Sequence, residues 1–194
     1  MTRPEPSPLE VLLAQSSALH DHLCPRQILG VRSALAAAGA LELEFPRTDK
    51  RVLVFVETDG CYADGVSVAS GCWLGRRTMR LMDFGKIAAT FVDTKTGQAV
   101  RVFPQTDLRQ RVRDSRPEGQ KRYQAYLEAY QTLPDEQLLT VQDVQLTPDL
   151  NAIISVHGKR AVCDKCGEEI INEREVVQGG QVLCLSCAGQ GYYR

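Results

Sequence analysis

Two Cys-x-x-Cys pairs near the C-terminus, Cys163-Asp164-Lys165-Cys166 and Cys184-Leu185-Ser186-Cys187, constrain this chain more than any other feature. They are separated by 17 residues, a spacing that characterises four-thiolate zinc sites. Each pair presents two sulfurs to one ion, and the residues between must return the chain to complete a tetrahedron. Gly167 follows the first pair, and Gln178-Gly179-Gly180-Gln181 suits a turn between two short strands. A segment this small has too little apolar core to fold unaided, so the expectation is a structural zinc held by Cys163, Cys166, Cys184 and Cys187. A closed four-sulfur site leaves no open position for substrate, which argues against a catalytic metal here. Thioredoxin-like use of the thiols lacks its βαβ surroundings.

The seven cysteines are an odd number, and the tail uses four. Metal chemistry in a reducing compartment is expected, with a cytoplasmic location and no disulfide framework. No apolar run reaches the 18 to 20 residues or so of a membrane span, and Met1-Thr2-Arg3-Pro4-Glu5-Pro6 has no apolar signal core. A net charge of −1 gives no global reason for nucleic-acid binding. Neither Gly-x-Gly-x-x-Gly nor Gly-Lys-Ser/Thr occurs, so nucleotide chemistry has no motif to rest on.

Prolines at 4, 6 and 8 suggest an extended arm over residues 1–8, leading to a helix from Pro8 or Leu9 with Leu9, Leu12, Leu13 and Leu19 on its apolar side. Pro25 suits a first helical position, and Ile28, Val31, Leu35 and Ala38 recur at helical spacing toward a cap at Gly39. The β-branched run 51–58 reads as a strand covered on both faces and central in a sheet. A short helix over 63–70 ends at Gly71, and strands at 86–93 and 98–103 flank a hairpin loop, Thr94 to Gly97. A helical stretch over 107–131 breaks near Pro117, and a strand follows at 139–146. The fold class expected is α+β, a mainly antiparallel sheet packed with helices over 9–155, followed by a small zinc-binding domain over 156–194.

Outside the tail, His20-Asp21-His22-Leu23-Cys24-Pro25 is the most unusual segment. It brings two imidazoles and a thiol to a helix N-terminus, where unsatisfied N–H groups and the helix dipole favour a thiolate. Cys61 and Cys72 each follow a glycine and bracket the small-residue segment after the central strand, where sheets commonly place ligand sites. Any of these residues taken alone is as well explained by burial. Arg109, Arg111, Arg113, Arg116, Lys121 and Arg122 read most simply as a solvated helical face, and less simply as a docking face.

His20-Asp21-His22-Leu23-Cys24-Pro25, Leu29-Gly30-Val31-Arg32, Glu57-Thr58 leading to Cys61 and Asp64, Gly71-Cys72-Trp73-Leu74-Gly75 and Asp83-Phe84-Gly85-Lys86 together resemble the FmdE family, named for the E component of formylmethanofuran dehydrogenase, over about residues 10 to 105. The Cys-x-x-Cys pairs match the treble-clef-like zinc finger that many members append. The resemblance implies an α+β core, a homodimer and a metal-associated pocket, with His20, His22, Cys24, Cys61 and Cys72 as site candidates and Asp64 as a polar neighbour. The sequence departs from the usual pattern at Asp21 and Arg26, where glycine is usual, and at Arg76, where lysine is.

The first functional expectation is therefore a metal-binding accessory protein of a molybdenum or tungsten oxidoreductase complex. Soft sulfur with imidazole suits zinc, nickel, iron or copper as a second metal. The alternatives are a stand-alone enzyme, using the Cys24 thiolate or a metal-bound water with Cys61 and Asp64 nearby, and a metal- or redox-sensing interaction module.

Overall fold

The computed structural model describes residues 6–154 and 158–193, which form two compact units, 1–146 and 147–194. The first five residues of the expected arm, and the domain boundary expected near residue 155, lie outside the described residues.

Helix α1 (Pro8–Ser17) starts with Ser7 as its cap: the Ser7 hydroxyl accepts from the Glu10 N–H at 3.3 Å, and the Ser7 N–H donates to Glu10 Oε2 at 2.6 Å. Leu12 and Leu13 are buried, whereas Leu19 lies beyond the helix end and is exposed, contrary to its expected place on the apolar side. Helix α2 (Pro25–Ala40) buries Ile28, Val31, Ala34 and Ala37 completely. It runs one residue past the expected cap at Gly39. The turn is made instead by Glu42, at φ 52°, which lets the Leu43 N–H reach the Ala38 carbonyl at 2.9 Å.

Strand β1 (Val52–Val56) is interior to a five-stranded sheet ordered β2-β1-β3-β4-β5, with β2 (Met79–Leu81), β3 (Ala89–Asp93), β4 (Ala99–Pro104) and β5 (Leu139–Val144). Val54 pairs antiparallel with Phe91, Phe91 with Val100, and Val102 with Val141. The β3–β4 hairpin turns through Gly97 at φ 78°, as its sequence requires. The parallel pairing of β1 with β2 has no counterpart in the sequence expectations. Arg76, Arg77 and Arg80 interrupt any apolar alternation there, so only the tertiary pairing identifies the strand.

Helix α3 (Cys61–Ser70) begins two residues earlier than expected and ends at Gly71, whose φ of 76° supplies the left-handed cap. It crosses α2 at backbone contact. A Cβ on Gly30 would lie 2.3 Å from the Tyr62 carbonyl oxygen, and one on Gly65 would lie 2.3 Å from that of Gln27. Beyond the sheet, α4 (Leu108–Asp114) and α5 (Arg122–Thr132) stand either side of the Pro117 break, and α6 (Asp135–Leu138) leads into β5. One continuous core joins Leu12 and Leu13 of α1 to α2, α3, the sheet, Leu108, Tyr130 and Leu138. Buried Arg32 of α2 donates to the carbonyls of Tyr130 and Leu133 at 3.1 and 2.5 Å and pairs with Asp135, tying α5 and α6 down.

The second unit is built on two hairpins. β6 (Arg160–Val162) pairs with β7 (Glu169–Ile171), and β8 (Val176–Gln178) pairs with β9 (Gln181–Leu183) across Gly179 and Gly180. Its core is small, centred on Cys163, Ile170 and Leu183. A single helical turn, Ser186–Gln190, carries Cys187, the second cysteine of the second pair.

Candidate functional site: a zinc knuckle and a thiol cleft

In the tail, ligand atoms of Cys163, Cys166, Cys184 and Cys187 lie within 4.8 Å of one another. Cys166 and Cys184 are separated by 3.9 Å between sulfurs. Four thiolates about 2.3 Å from a zinc ion at tetrahedral angles would sit about 3.8 Å apart, so the donor set fits that ion. Backbone N–H groups point at the sulfurs: Cys184 donates to Cys163 Sγ at 3.3 Å and Cys187 to Cys184 Sγ at 3.4 Å. Backbone hydrogen bonds from Cys166 and Cys184 pull the Cys163 thiol down, while the crowded neighbouring sulfurs push Cys166 and Cys187 up, so the full set of thiolates needs the charge of a metal ion. Gly167, at φ 75°, closes the first knuckle by donating to the Cys163 carbonyl at 2.9 Å. This is a closed structural zinc site.

In the first unit, the α2–α3 crossing decides what meets what. Because Gly30 and Gly65 let the two backbones touch, the N-terminal ends of both helices arrive together, bringing Cys24, which caps α2, beside Cys61, the first residue of α3. Burial pushes the Cys61 thiol up, and the neighbouring Cys24 side chain adds to the shift. The Cys24 backbone is fixed by Gln27, which is fully buried: its Oε1 accepts from the Cys24 N–H at 2.8 Å while its Nε2 donates to the Ser16 carbonyl at 2.8 Å. Tyr123 covers the other side, its hydroxyl donating to the Leu23 carbonyl at 2.8 Å.

Both thiols open into a cleft of about 910 Å³. His22 is at its rim, the three tyrosines Tyr123, Tyr126 and Tyr130 line it, and Arg26, Arg109, Arg113 and Arg122 complete it. Burial pushes the Tyr130 hydroxyl up to about 12.

The remaining sequence candidates fall in two other places. His20 Nε2 and Asp64 Oδ2 are 2.8 Å apart, a pair that ties the loop before α2 to the first turn of α3 without lining the cleft. Cys72 is 1% exposed, and its Sγ donates to the Val52 carbonyl at 3.4 Å. Helix α3, ten residues long, spans about 15 Å. Cys61 stands at its start and Cys72 just past its end, so the structure does not bring Cys72 to Cys24. Among the described residues, the tail cysteines are the group of three or more potential metal donors gathered within bonding reach of one ion.

Gln27 and Tyr123 carried no motif signal as site residues in the sequence, and Arg26, Arg109 and Arg113, noted there for other reasons, are placed in the cleft only by the fold. Gln27 sits at an apolar-face position, where a polar residue in a helix buried on that side is the signal that could have found it. Arg109 and Arg113 are one turn apart on α4, but only the tertiary fold shows which way that face looks.

An α+β domain whose two helix N-termini converge on a thiol-lined cleft, followed by a four-cysteine zinc finger, is the class of protein these features define. Residues 19–140 match the family model described as FmdE, molybdenum formylmethanofuran dehydrogenase operon, and residues 158–192 match the prokaryotic dksA/traR C4-type zinc finger. The chain belongs to the FmdE family. It is 33% identical to a probable S-adenosyl-L-methionine-binding protein of Archaeoglobus fulgidus over 96% of its own length and 55% of that protein's, so it spans about half the length of that relative. A crystallised tungsten formylmethanofuran dehydrogenase FmdE-like protein from Syntrophus aciditrophicus shares the fold at a TM-score of 0.61, with 23% identity and full coverage of both chains.

Proposed function

We propose that this protein handles a soft transition-metal ion through the Cys24–Cys61 thiol pair, as an accessory to a molybdenum- or tungsten-dependent oxidoreductase. The observation that carries the reading is the meeting of two thiols from different helices at the mouth of one cleft, beside a rim imidazole. Two sulfurs suit zinc, nickel, iron or copper(I) better than hard cations. His22 is the nearest candidate for a third donor, and the ion would supply a site for sulfur or one-electron chemistry. The chain's own residues do the rest: Gln27 fixes the Cys24 backbone, Tyr123 anchors the Leu23 carbonyl just before it, and the His20–Asp64 pair holds the loop that carries His22.

Assembly as a homodimer, a cytoplasmic location and docking to an oxidoreductase complex belong to the same proposal, supported by the family membership. No helix among the described residues is long and apolar enough to cross a membrane.

The test is metal content per chain, measured on untagged protein and on C24S and C61S. Two ions per chain, one of them lost in each variant, is the expected result. One zinc per chain in all three proteins would confine metal to the tail and remove the reading.

A second reading comes from the name of the Archaeoglobus relative, with S-adenosyl-L-methionine as the cleft's ligand. The tyrosine wall favours a flat ring. Four guanidinium groups oppose a sulfonium cation, and binding of that compound weaker than millimolar would remove this alternative.

A further inference from the structure

The charge of the cleft is as distinctive as its thiols. Arg26, Arg109, Arg113 and Arg122 all line it, and no Asp or Glu does. The whole chain carries a net charge of −1, so four guanidinium groups on one concave surface are a local excess that the composition does not produce by itself. The acids of α4 and α5 take other partners, with Gln110 bridging Asp114 to Arg113. Asp107 pairs with Arg111 at 3.1 Å, Asp114 accepts from Gln110 at 2.7 and 2.9 Å, and Glu128 accepts from Gln120 and Gln124 at 2.7 and 2.9 Å. Among the described residues, no carboxylate forms an ion pair with Arg26, Arg109, Arg113 or Arg122. Arg109 lies over the Tyr126 ring, 5.6 Å from its centroid, and Tyr126 stacks on Tyr130 at 5.6 Å. Arg109 and the two tyrosines thus form one cation–aromatic stack in the cleft wall.

We infer that the cleft binds a small organic polyanion, with at least two phosphate or carboxylate groups on a planar frame. The charged groups lie on the arginines of α4 and α5, and the frame lies against the tyrosine wall beside the Arg109–Tyr126 stack. Guanidinium forks match both phosphate and carboxylate oxygens. A cleft of about 910 Å³ accommodates a cofactor-sized molecule. Arg26 extends the cationic surface to the thiols, since it lines the cleft together with Cys24 and Cys61. A ligand anchored on α4 thus reaches the thiol pair with its other end. The inference deepens the thiol-site reading and rests on it only for that reactive end.

The experiment is calorimetric titration of the zinc-loaded full chain with pyrophosphate and with benzene-1,2,4,5-tetracarboxylate, at low and moderate salt. Wild type, R109Q/R113Q, Y126L and C24S are compared, with thermal melts checking that each variant folds. At least one polyanion is expected to bind wild type one per chain, at least about tenfold more tightly than R109Q/R113Q, and more weakly as salt rises. Preference between the two probes separates phosphate from carboxylate recognition, and Y126L should weaken the planar probe more. C24S should keep the anion while losing the second metal. If neither polyanion distinguishes wild type from folded R109Q/R113Q, the inference is overturned whatever the metal analysis shows. If a polyanion binds as expected but no second metal is found, the inference stands and the metal reading falls.

Discussion

At the residue scale, the two cysteines that open into the cleft differ from the third in what holds them. Cys72 is a core thiol: burial pushes it up, and its sulfur donates to a β1 carbonyl. Cys72→Ala should therefore leave metal content unchanged while lowering stability by about 1–2 kcal/mol, which a urea titration would read. If metal is lost in this variant, Cys72 belongs to the site after all. The sequence could show that Cys24 sits at a helix N-terminus, because Pro25 and the apolar periodicity after it are local signals. It could not rank Cys61 against Cys72. Both follow glycines, and only the length and direction of α3 put one at the cleft and the other at the far end of the helix.

Asp93 gives a prediction on pH. The Arg51 guanidinium, bonded to both its oxygens at 3.0 and 2.8 Å, holds the carboxyl down at about 2. A carboxyl depressed on folding stabilises the native state above its unfolded value near 4, and that contribution is lost as pH falls from there toward 2. Arg51 is a third exposed, so the pair contributes roughly 1–2 kcal/mol, less than the full shift implies. Asp93→Asn should lower stability by that amount at pH 7 and make stability flatter between pH 4 and pH 2. Equal acid sensitivity of the two proteins would rule this out.

At the scale of elements, the α2–α3 crossing is the part of the fold on which the site depends. Gly30 and Gly65 face opposing backbone carbonyls, not side chains that could swing aside. Gly30→Ala should cost about 1–3 kcal/mol through overpacking and should separate Cys24 from Cys61 by prising the helices apart. Loss of the metal proposed for the thiol pair, at a temperature where the variant is still folded, is the expected result. Retention of the metal would show that the crossing does not set the thiol distance. The sequence displays both glycines, yet a glycine inside a helix is ambiguous until its partner helix is known. The β3–β4 hairpin and the Pro117 break were legible because turn residues announce themselves locally. Strand β2 was not, since its three residues are defined only by pairing with β1.

At the scale of the whole molecule, the chain is two units with separate cores, one large and built on a sheet, one small and built on a metal. The tail's four ligands were legible in full, because two local Cys-x-x-Cys turns at a characteristic spacing specify one ion. Its stability rests on that ion, given a core of three buried residues. A strong chelator should therefore abolish amide-exchange protection over residues 160–190 while leaving strands β1, β3 and β4 protected. Protection that persists in the tail after zinc is removed would mean the hairpins fold without it. The match to the Archaeoglobus relative runs through 96% of this chain but 55% of that one, so the shared part is the thiol-cleft domain with its zinc unit.

Everything proposed for the cleft chemistry requires that Cys24 and Cys61, far apart in sequence, form one dithiol. Phenylarsine oxide tests this directly, because trivalent arsenic bridges two sulfurs only when they are close together. On protein that retains one zinc per chain in the tail and carries no other metal, the reagent should form one adduct per chain, and proteolytic mapping should find it joining the peptides that carry Cys24 and Cys61, with Cys72 unmodified. An adduct joining Cys24 to Cys72, or no bridged adduct on folded protein, would show that the pair does not exist.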